Sequence, residues 1–316
     1  MKITPKFQGY RLDMYLAEKL EISRNQAQKI ALANRVFIND KLATKHQFLK
    51  IGDIIEIREE TEEIQKEKNN PVKTKLAVDI RSIVKDKPKV LVKNKNYLVI
   101  EKPVHMLVHA TTRGETDTLV DWLLKKYPKL KKVGSDDPVR PAIVHRLDKE
   151  VSGIMLVPRT LDAFDCFKKQ FQLRTIKKEY IALVHGVIQN DHDEITFPIT
   201  RSKSGKYVAM PVGAEGGKAS ITEFEVLQKF IHYTLVRILP HTGRTNQIRI
   251  HMAAYGNPIV GDTLYISKKI NPKHKTLLDR VFLHAQKITF VDTDGETQTV
   301  ESPMPESLSK LTDKLK

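Results

Sequence analysis

Cysteine is almost absent from this 316-residue chain, in which Cys166 stands alone. A single thiol closes no disulfide within the chain and builds no cysteine-based zinc site, so a disulfide scaffold is excluded and a reducing compartment fits. Long apolar runs are missing as well. Residues 1–11 alternate polar, basic and apolar types without a signal-peptide core, and no later stretch approaches a membrane span. A soluble, cytoplasmic protein with no membrane partner is expected. Acidic charge is in short supply: 54 Lys and Arg face 38 Asp and Glu, a formal charge of +16. The natural partner of such a chain is a polyanion. No repeat of solenoid length is visible.

What is present is a globular composition. Hydrophobic residues make up 40% and charged residues 29%, which argues against a disordered chain. The length suits about two domains. Residues 1–60 read as two short helices and a small sheet. Leu12, Tyr15, Leu16 and Leu20 have helical spacing, and Ser23 with Gln26 gives the capping-box signature of a second helix. Val36-Phe37-Ile38 and Ile54-Ile55-Glu56-Ile57 read as strands beside the turns Asn39-Asp40 and Gly52-Asp53. From Thr61 to Pro88 Glu, Lys and Asn dominate and apolar periodicity fades, as in a charged linker; Leu76 to Ile80 could form a short docking strand.

Beyond Lys89 short strands alternate with helices. Strands are expected at 90–92, 97–100, 179–184, 194–199, 207–212, 219–227, 233–239 and 282–291, and helices at 118–127 and 161–173. Phe164, Phe167 and Phe171 share one face of the second helix and read as core rather than as a stacking platform. Many strands with few helices imply an α+β fold, a mixed and mostly antiparallel sheet with helices packed on it.

One stretch concentrates chemistry. His145 to Glu150 reads as a loop feeding an apolar strand, Ile154 to Val157, bounded by Gly153 and Pro158. Asp148 stands at the mouth of that strand near Arg146. A neighbouring cation favours an ionised carboxylate while burial opposes it, the balance that active sites exploit; a structural ion pair explains the same two residues. Titratable groups also gather at 102–109, 178–186 and 241–252. A kinase is excluded because Leu147 interrupts His-Arg-Asp and no glycine-rich loop accompanies it. Val212 and Ala219 spoil the phosphate-loop pattern around Gly213 to Ser220, and His241 and His251 lack helical zinc spacing, so no metal is expected.

The stretch from Tyr10-Arg11-Leu12-Asp13 through Ser23-Arg24, Arg35 to Lys41 and Gly52-Asp53 resembles the S4-type RNA-binding domain. That resemblance implies that Arg11, Arg24, Lys29, Arg35 and Lys41 grip structured RNA through its phosphates; each also suits a solvated surface. From residue 90 onward the chain resembles the RluA/RluD-type pseudouridine synthases of large-subunit ribosomal RNA. The carrying motifs are His145-Arg146-Leu147-Asp148 with Ser152-Gly153, Tyr180, and Thr242-Gly243-Arg244 with Gln247-Ile248-Arg249 and His251. The implied organisation is an S4-type domain over 1–60, a linker over 61–88 and a catalytic domain of pseudouridine synthase fold over 89–316.

The implied reaction isomerises uridine to pseudouridine in ribosomal RNA, with base flipping and without a cofactor. A monomer is expected. By resemblance Asp148 is the catalytic carboxylate, and Arg249 pairs with it and holds its pKa down. Tyr180 stacks on the target base and has been proposed to move a proton, and Arg146 fills the gap the base leaves. His145, Arg244, Gln247 and His251 are the further substrate-binding candidates. The chain departs from the family pattern at Val151 (usually Thr), His105 (commonly Gly) and Asn246 (frequently His), which bears on loop contacts and the choice of uridine. A tRNA-directed synthase of this fold would share the catalytic residues. A non-catalytic ribosome-assembly factor would have no need of Asp148, Tyr180 and Arg249.

Overall fold

Two units, 1–83 and 84–316, make up the chain. The computed structural model describes residues 12–22, 26–27, 30, 35–43, 49, 52–58, 86–111, 114–134, 139–202, 205–211, 215–266 and 278–315. In the first unit, α1 (Leu12–Lys19) buries Leu12, Tyr15 and Leu16 on one face, at the helical spacing of the sequence. Strands β1 (Val36–Ile38), β2 (Lys41–Leu42) and β3 (Ile55–Ile57) form an antiparallel sheet in the order β2-β1-β3. Asn39 and Asp40 join β1 to β2 with φ of 50° and 62°, the left-handed region that Asn and Asp tolerate in a tight hairpin. Most of the second expected helix, residues 61–85 of the expected linker (61–88) and, within them, the stretch Leu76 to Ile80 lie outside the described residues.

The second unit is built on a nine-stranded sheet. Its order is β4-β5-β6-β13-β7-β12-β11-β8, with β14 also paired to β13. The strands are β4 (Lys89–Lys93), β5 (Tyr97–Lys102), β6 (Ser152–Pro158), β7 (Lys177–His185), β8 (His192–Ile195), β11 (Thr222–Lys229), β12 (Tyr233–Pro240), β13 (Leu283–Val291) and β14 (Thr297–Glu301). Neighbours run antiparallel except β6 and β13, which run parallel. The fold is α+β, as expected.

Every residue of β6 is buried, which is why its sequence is a continuous apolar run rather than an alternating one. Gly153 is required there. With φ of 129°, a Cβ on it would stand 2.3 Å from the Ala285 carbonyl oxygen of β13. Helices α2 (Leu119–Lys126) and α3 (Leu161–Leu173) start at threonine caps, Thr118 accepting from Asp121 N–H and Thr160 from Ala163 N–H. Phe167 of α3 meets Tyr97 and Phe290 edge to face at 5.7 and 5.4 Å, locking the helix to β5 and β13.

Strands β2 and β14 were not expected from the sequence, and three further features differ from the expectation. The strand expected at 194–199 is two: β8 stays in the main sheet, while β9 (Ile199–Arg201) leaves it to pair with β10 (Tyr207–Ala209). Pro198 lies at that break, where it has no N–H to give a ladder. Helix α4 (Gln247–Tyr255) was hidden because residues 247–252 are buried in succession, which erases the amphipathic period. The last helix, α5 (Glu306–Lys314), shows the sequence only two buried residues, Leu308 and Thr312.

Candidate active site

A cavity of about 420 Å³ opens where the loop before β6, strand β7 and the loop leading into α4 converge. This is within the range of small-molecule sites. Asp148, Arg146, His145, Tyr180, Arg244, Gln247 and Arg249 all line it. Asp148 is fixed from both sides. Leu147 and Val151 are buried, and Val151 N–H donates to the Asp148 carbonyl at 3.2 Å, so the loop tightens just as it enters β6.

Arg249 reaches this carboxylate from α4, but its first partner is another acid. Its Nε and Nη2 donate to the two oxygens of Asp262 at 2.7 and 3.0 Å. Only Nη1 turns outward, 3.9 Å from Asp148 and 3.3 Å from Glu150. Asp262 is itself held by Leu264 N–H and Tyr265 N–H at 2.8 and 3.0 Å. Burial works against its charge, but the Arg249 guanidinium and these amides hold its carboxyl below the usual range. The fork-to-fork pair immobilises the guanidinium and presents one edge to Asp148.

The pKa of Asp148 runs against the expectation from its cation. Burial raises it, and the neighbouring Arg249 and Arg146 pull it only part of the way back. Lys102 is buried on β5, donating to the Pro103 and Met106 carbonyls at 2.8 and 2.9 Å. Burial pushes its ammonium down to about 7, with Asp148 acting against that fall. Tyr180 is likewise shifted upward, by burial and then by the Asp148 charge, so its phenol is neutral at ordinary pH. Lys178, two residues before Tyr180 on β7, lines the same cavity, and burial lowers it to about 8.

Other candidates have different surroundings from those expected. His145 lines the wall, but its Nε2 accepts Leu156 N–H at 2.8 Å and its ring stacks on Phe171 at 4.5 Å. Burial and then Lys178 lower it to about 3, so it is a neutral brace. Phe171 therefore faces the cavity as well as the core. Gln247 does not fit a substrate-binding role. Its oxygen accepts from Thr242 Oγ1 and Arg244 N–H at 2.7 and 3.0 Å, and its nitrogen donates to Ile221 O and Thr222 Oγ1 at 2.9 Å each. All four amide valences are spent inside the protein. His251 is not at the cavity. It is fully buried, with its Nε2 2.9 Å from the Phe197 carbonyl.

Arg244 holds the Ala219 carbonyl through Nε and Nη2 at 3.2 Å each. Arg146 is exposed at the mouth. Arg11, Arg24 and Lys29 lie outside the described residues, and Lys41 contributes its backbone to β2. Arg35 Nε donates to the Arg58 carbonyl at 3.0 Å. Two of the sequence departures acquire reasons. His105 has φ of 62° and Asn246 has φ of 55°, left-handed positions where Gly is at ease and His or Asn is tolerated. The sequence reading missed Glu150 and Asp262. The only local signal for Asp262 was a Gly-Asp turn after Ile259-Val260, which says nothing of a partner on α4.

Residues 96–254 match the family model described as RNA pseudouridylate synthase, and residues 11–55 match the S4 domain. The chain belongs to the RNA pseudouridylate synthase family. It is 31% identical to ribosomal large subunit pseudouridine synthase D of Neisseria meningitidis serogroup A, covering 96% of this chain and 78% of that protein. It is also 31% identical to the uncharacterized RNA pseudouridine synthase YlyB of Bacillus subtilis, covering 97% and 94%. The solved structure titled human RNA pseudouridylate synthase domain containing 1 shares the fold, with a TM-score of 0.57 and 24% identity over 73% of this chain and 95% of that one. This pseudouridine synthase is therefore an isomerase acting on uridine in RNA.

Proposed function

We propose that this synthase modifies uridines of large-subunit ribosomal RNA and that Asp148 is its catalytic carboxylate. The carrying observation is that carboxylate at the cavity floor, 3.9 Å from a guanidinium that Asp262 holds in place. Isomerisation breaks the N1–C1′ bond, turns the uracil and closes a C5–C1′ bond, with a proton lost from C5 and one gained at N1. The base must first leave its stack, at ~ a few kcal/mol. Ionised Asp148 supplies negative charge to the electron-poor carbon that bond cleavage creates. Arg249 supplies the positive charge that favours this ionised form.

Tyr180 stacks on the flipped uracil from β7, and exposed Arg146 fills the space the base vacates, a task suited to a planar, stackable cation. Arg244 contacts the RNA at the mouth, whereas Gln247 acts by bracing the loop that carries Arg244. His145 and His251 support the site by packing. The front domain, over 1–60, is joined through the segment 61–88 to the catalytic domain of 89–316. It grips RNA phosphates through Arg11, Arg24, Lys29, Arg35 and Lys41. The ribosomal target is supported by relatives that carry large-subunit names.

Two experiments test these assignments. Asp148→Asn in a purified assay abolishes pseudouridine formation while RNA affinity stays within about twofold; retained activity overturns the catalytic assignment. Pseudouridine mapping of total RNA from cells with and without the gene loses sites in large-subunit ribosomal RNA. Sites lost only from transfer RNA would overturn the target.

A further inference from the structure

Asn246 is the residue that touches the Asp148 carboxylate most closely, and the reaction as derived above leaves it idle. It caps α4 at φ of 55°, a backbone setting that costs most side chains strain. Its carboxamide finds complementary partners at both ends in one orientation. The nitrogen then donates to Asp148 Oδ2 at 2.8 Å and Oδ1 at 3.2 Å, and the oxygen accepts from Tyr265 O–H at 3.1 Å. Tyr265 is in turn fixed, being 9% exposed, with its N–H on Asp262 Oδ1 at 3.0 Å and the Arg249 guanidinium 5.4 Å from its ring centre.

We propose that Asn246, oriented by Tyr265, is a positioning residue that donates a hydrogen bond to the Asp148 carboxylate and fixes the plane in which it meets the uridine. The inference rests on Asp148 being the catalytic carboxylate. Arg249 does not do this job. Its Nη1 stands 3.9 Å from the carboxylate, beyond hydrogen-bond distance, and is shared with Glu150. The division of labour is therefore charge from Arg249 and direction from Asn246. A neutral amide suits direction, since it donates without titrating and adds no charge to surroundings in which Asp148 and Arg249 already feel Glu150, Asp262, Arg146 and Lys102.

The test uses the full-length enzyme and single-turnover kinetics on one RNA substrate across pH. Asn246→Asp keeps the shape and tolerates the left-handed backbone, but turns the donor into an acceptor. It lowers the rate at saturation by roughly ten- to a hundredfold, the range of a lost hydrogen bond to a charged group, with RNA affinity unchanged. The donor favours the ionised carboxylate and the new carboxylate repels it, so both the loss and the added charge move the acid limb of the profile to higher pH. Arg249, Arg146 and Lys102 oppose that move and Glu150 adds to it, and all four are the same in parent and variant. Asn246→His, which restores an N–H and also accepts a positive φ, recovers part of the rate.

Tyr265→Phe shifts both readouts in the same direction by less. Combined with Asn246→Asp it adds nothing, because it acts through that amide. A parental rate and acid limb in Asn246→Asp overturn the proposal. So does a loss of RNA affinity with the rate at saturation unchanged, which would make Asn246 a substrate contact. Should Asn246→Asp fail to fold, Tyr265→Phe alone decides by the same two readouts. An active Asp148→Asn enzyme would instead sink the catalytic assignment beneath it, so the two failures are distinguishable.

Discussion

Asp148 is held in conflict: burial pushes its pKa above the ordinary 3.8, and Arg249 and Arg146 draw it back without cancelling the shift. The proposed reaction uses the ionised form. The rate at saturation is therefore lost as pH falls through that raised pKa, and the acid limb lies above 3.8. Kinetics from about pH 3 to 8 locate it, and an acid limb below 3.8 would contradict the burial. The same shift has a sign for stability. A carboxyl whose folded pKa exceeds its unfolded value binds its proton more tightly when folded, so above the folded pKa its charge opposes folding. Asp148→Asn is thus expected to be more stable than the parent at pH 8, with the gain shrinking as pH falls towards 4. Denaturant melts at the two pH values check this.

Strand β6 and helix α4 each depend on one close contact made far along the chain. A Cβ at Gly153 would lie 2.3 Å from Ala285 O and 2.5 Å from Ala285 N, so Gly153→Ala must push β13 away or twist β6. A cost of ~2 kcal/mol or more follows from strain of this kind. The loop bearing Asp148 is displaced with it, so both melting temperature and activity fall. For α4 the contact is Arg249 with Asp262, both nearly fully buried. Removing one partner of a buried pair typically costs ~3–5 kcal/mol. Asp262→Ala should then lower the melting temperature by roughly 6–20 °C for a unit of this size. It also releases the guanidinium facing Asp148, and the turnover rate falls more than RNA affinity does.

Across the whole molecule the excess of 54 basic over 38 acidic residues predicts salt-sensitive RNA binding. If Arg11, Arg24 and Lys29 each neutralise a phosphate, replacing the three by Ala reduces the slope of log affinity against log salt by about 2 to 3. The rate at saturation does not change. Titrations at several salt concentrations measure it, and an unchanged slope would leave the electrostatics to residues beyond this front segment. No helix among the described residues is long and apolar enough to cross a membrane.

Much of this enzyme is legible in the chain because local physics writes it there. The continuous apolar run of β6 announced a strand buried on both faces and the spacing of Phe164, Phe167 and Phe171 announced α3, whereas the meeting of Asp148, Tyr180 and Arg249 was implied by the family resemblance. Partner choice was not legible. Arg249 could have spent its fork on Asp148, yet it spends it on Asp262, thirteen residues along, because the turn at Gly261 folds that acid back beneath α4. Gln247 and His251 carry motif positions but face inward, since the rotation of a helix buried nearly all round is set by its neighbours and not by its own pattern. Sequence alone determined which groups are present and which elements carry them. Only the tertiary structure decided which of those groups are already satisfied by the protein and which remain open to the cavity, because partners distant in sequence meet only in the folded chain.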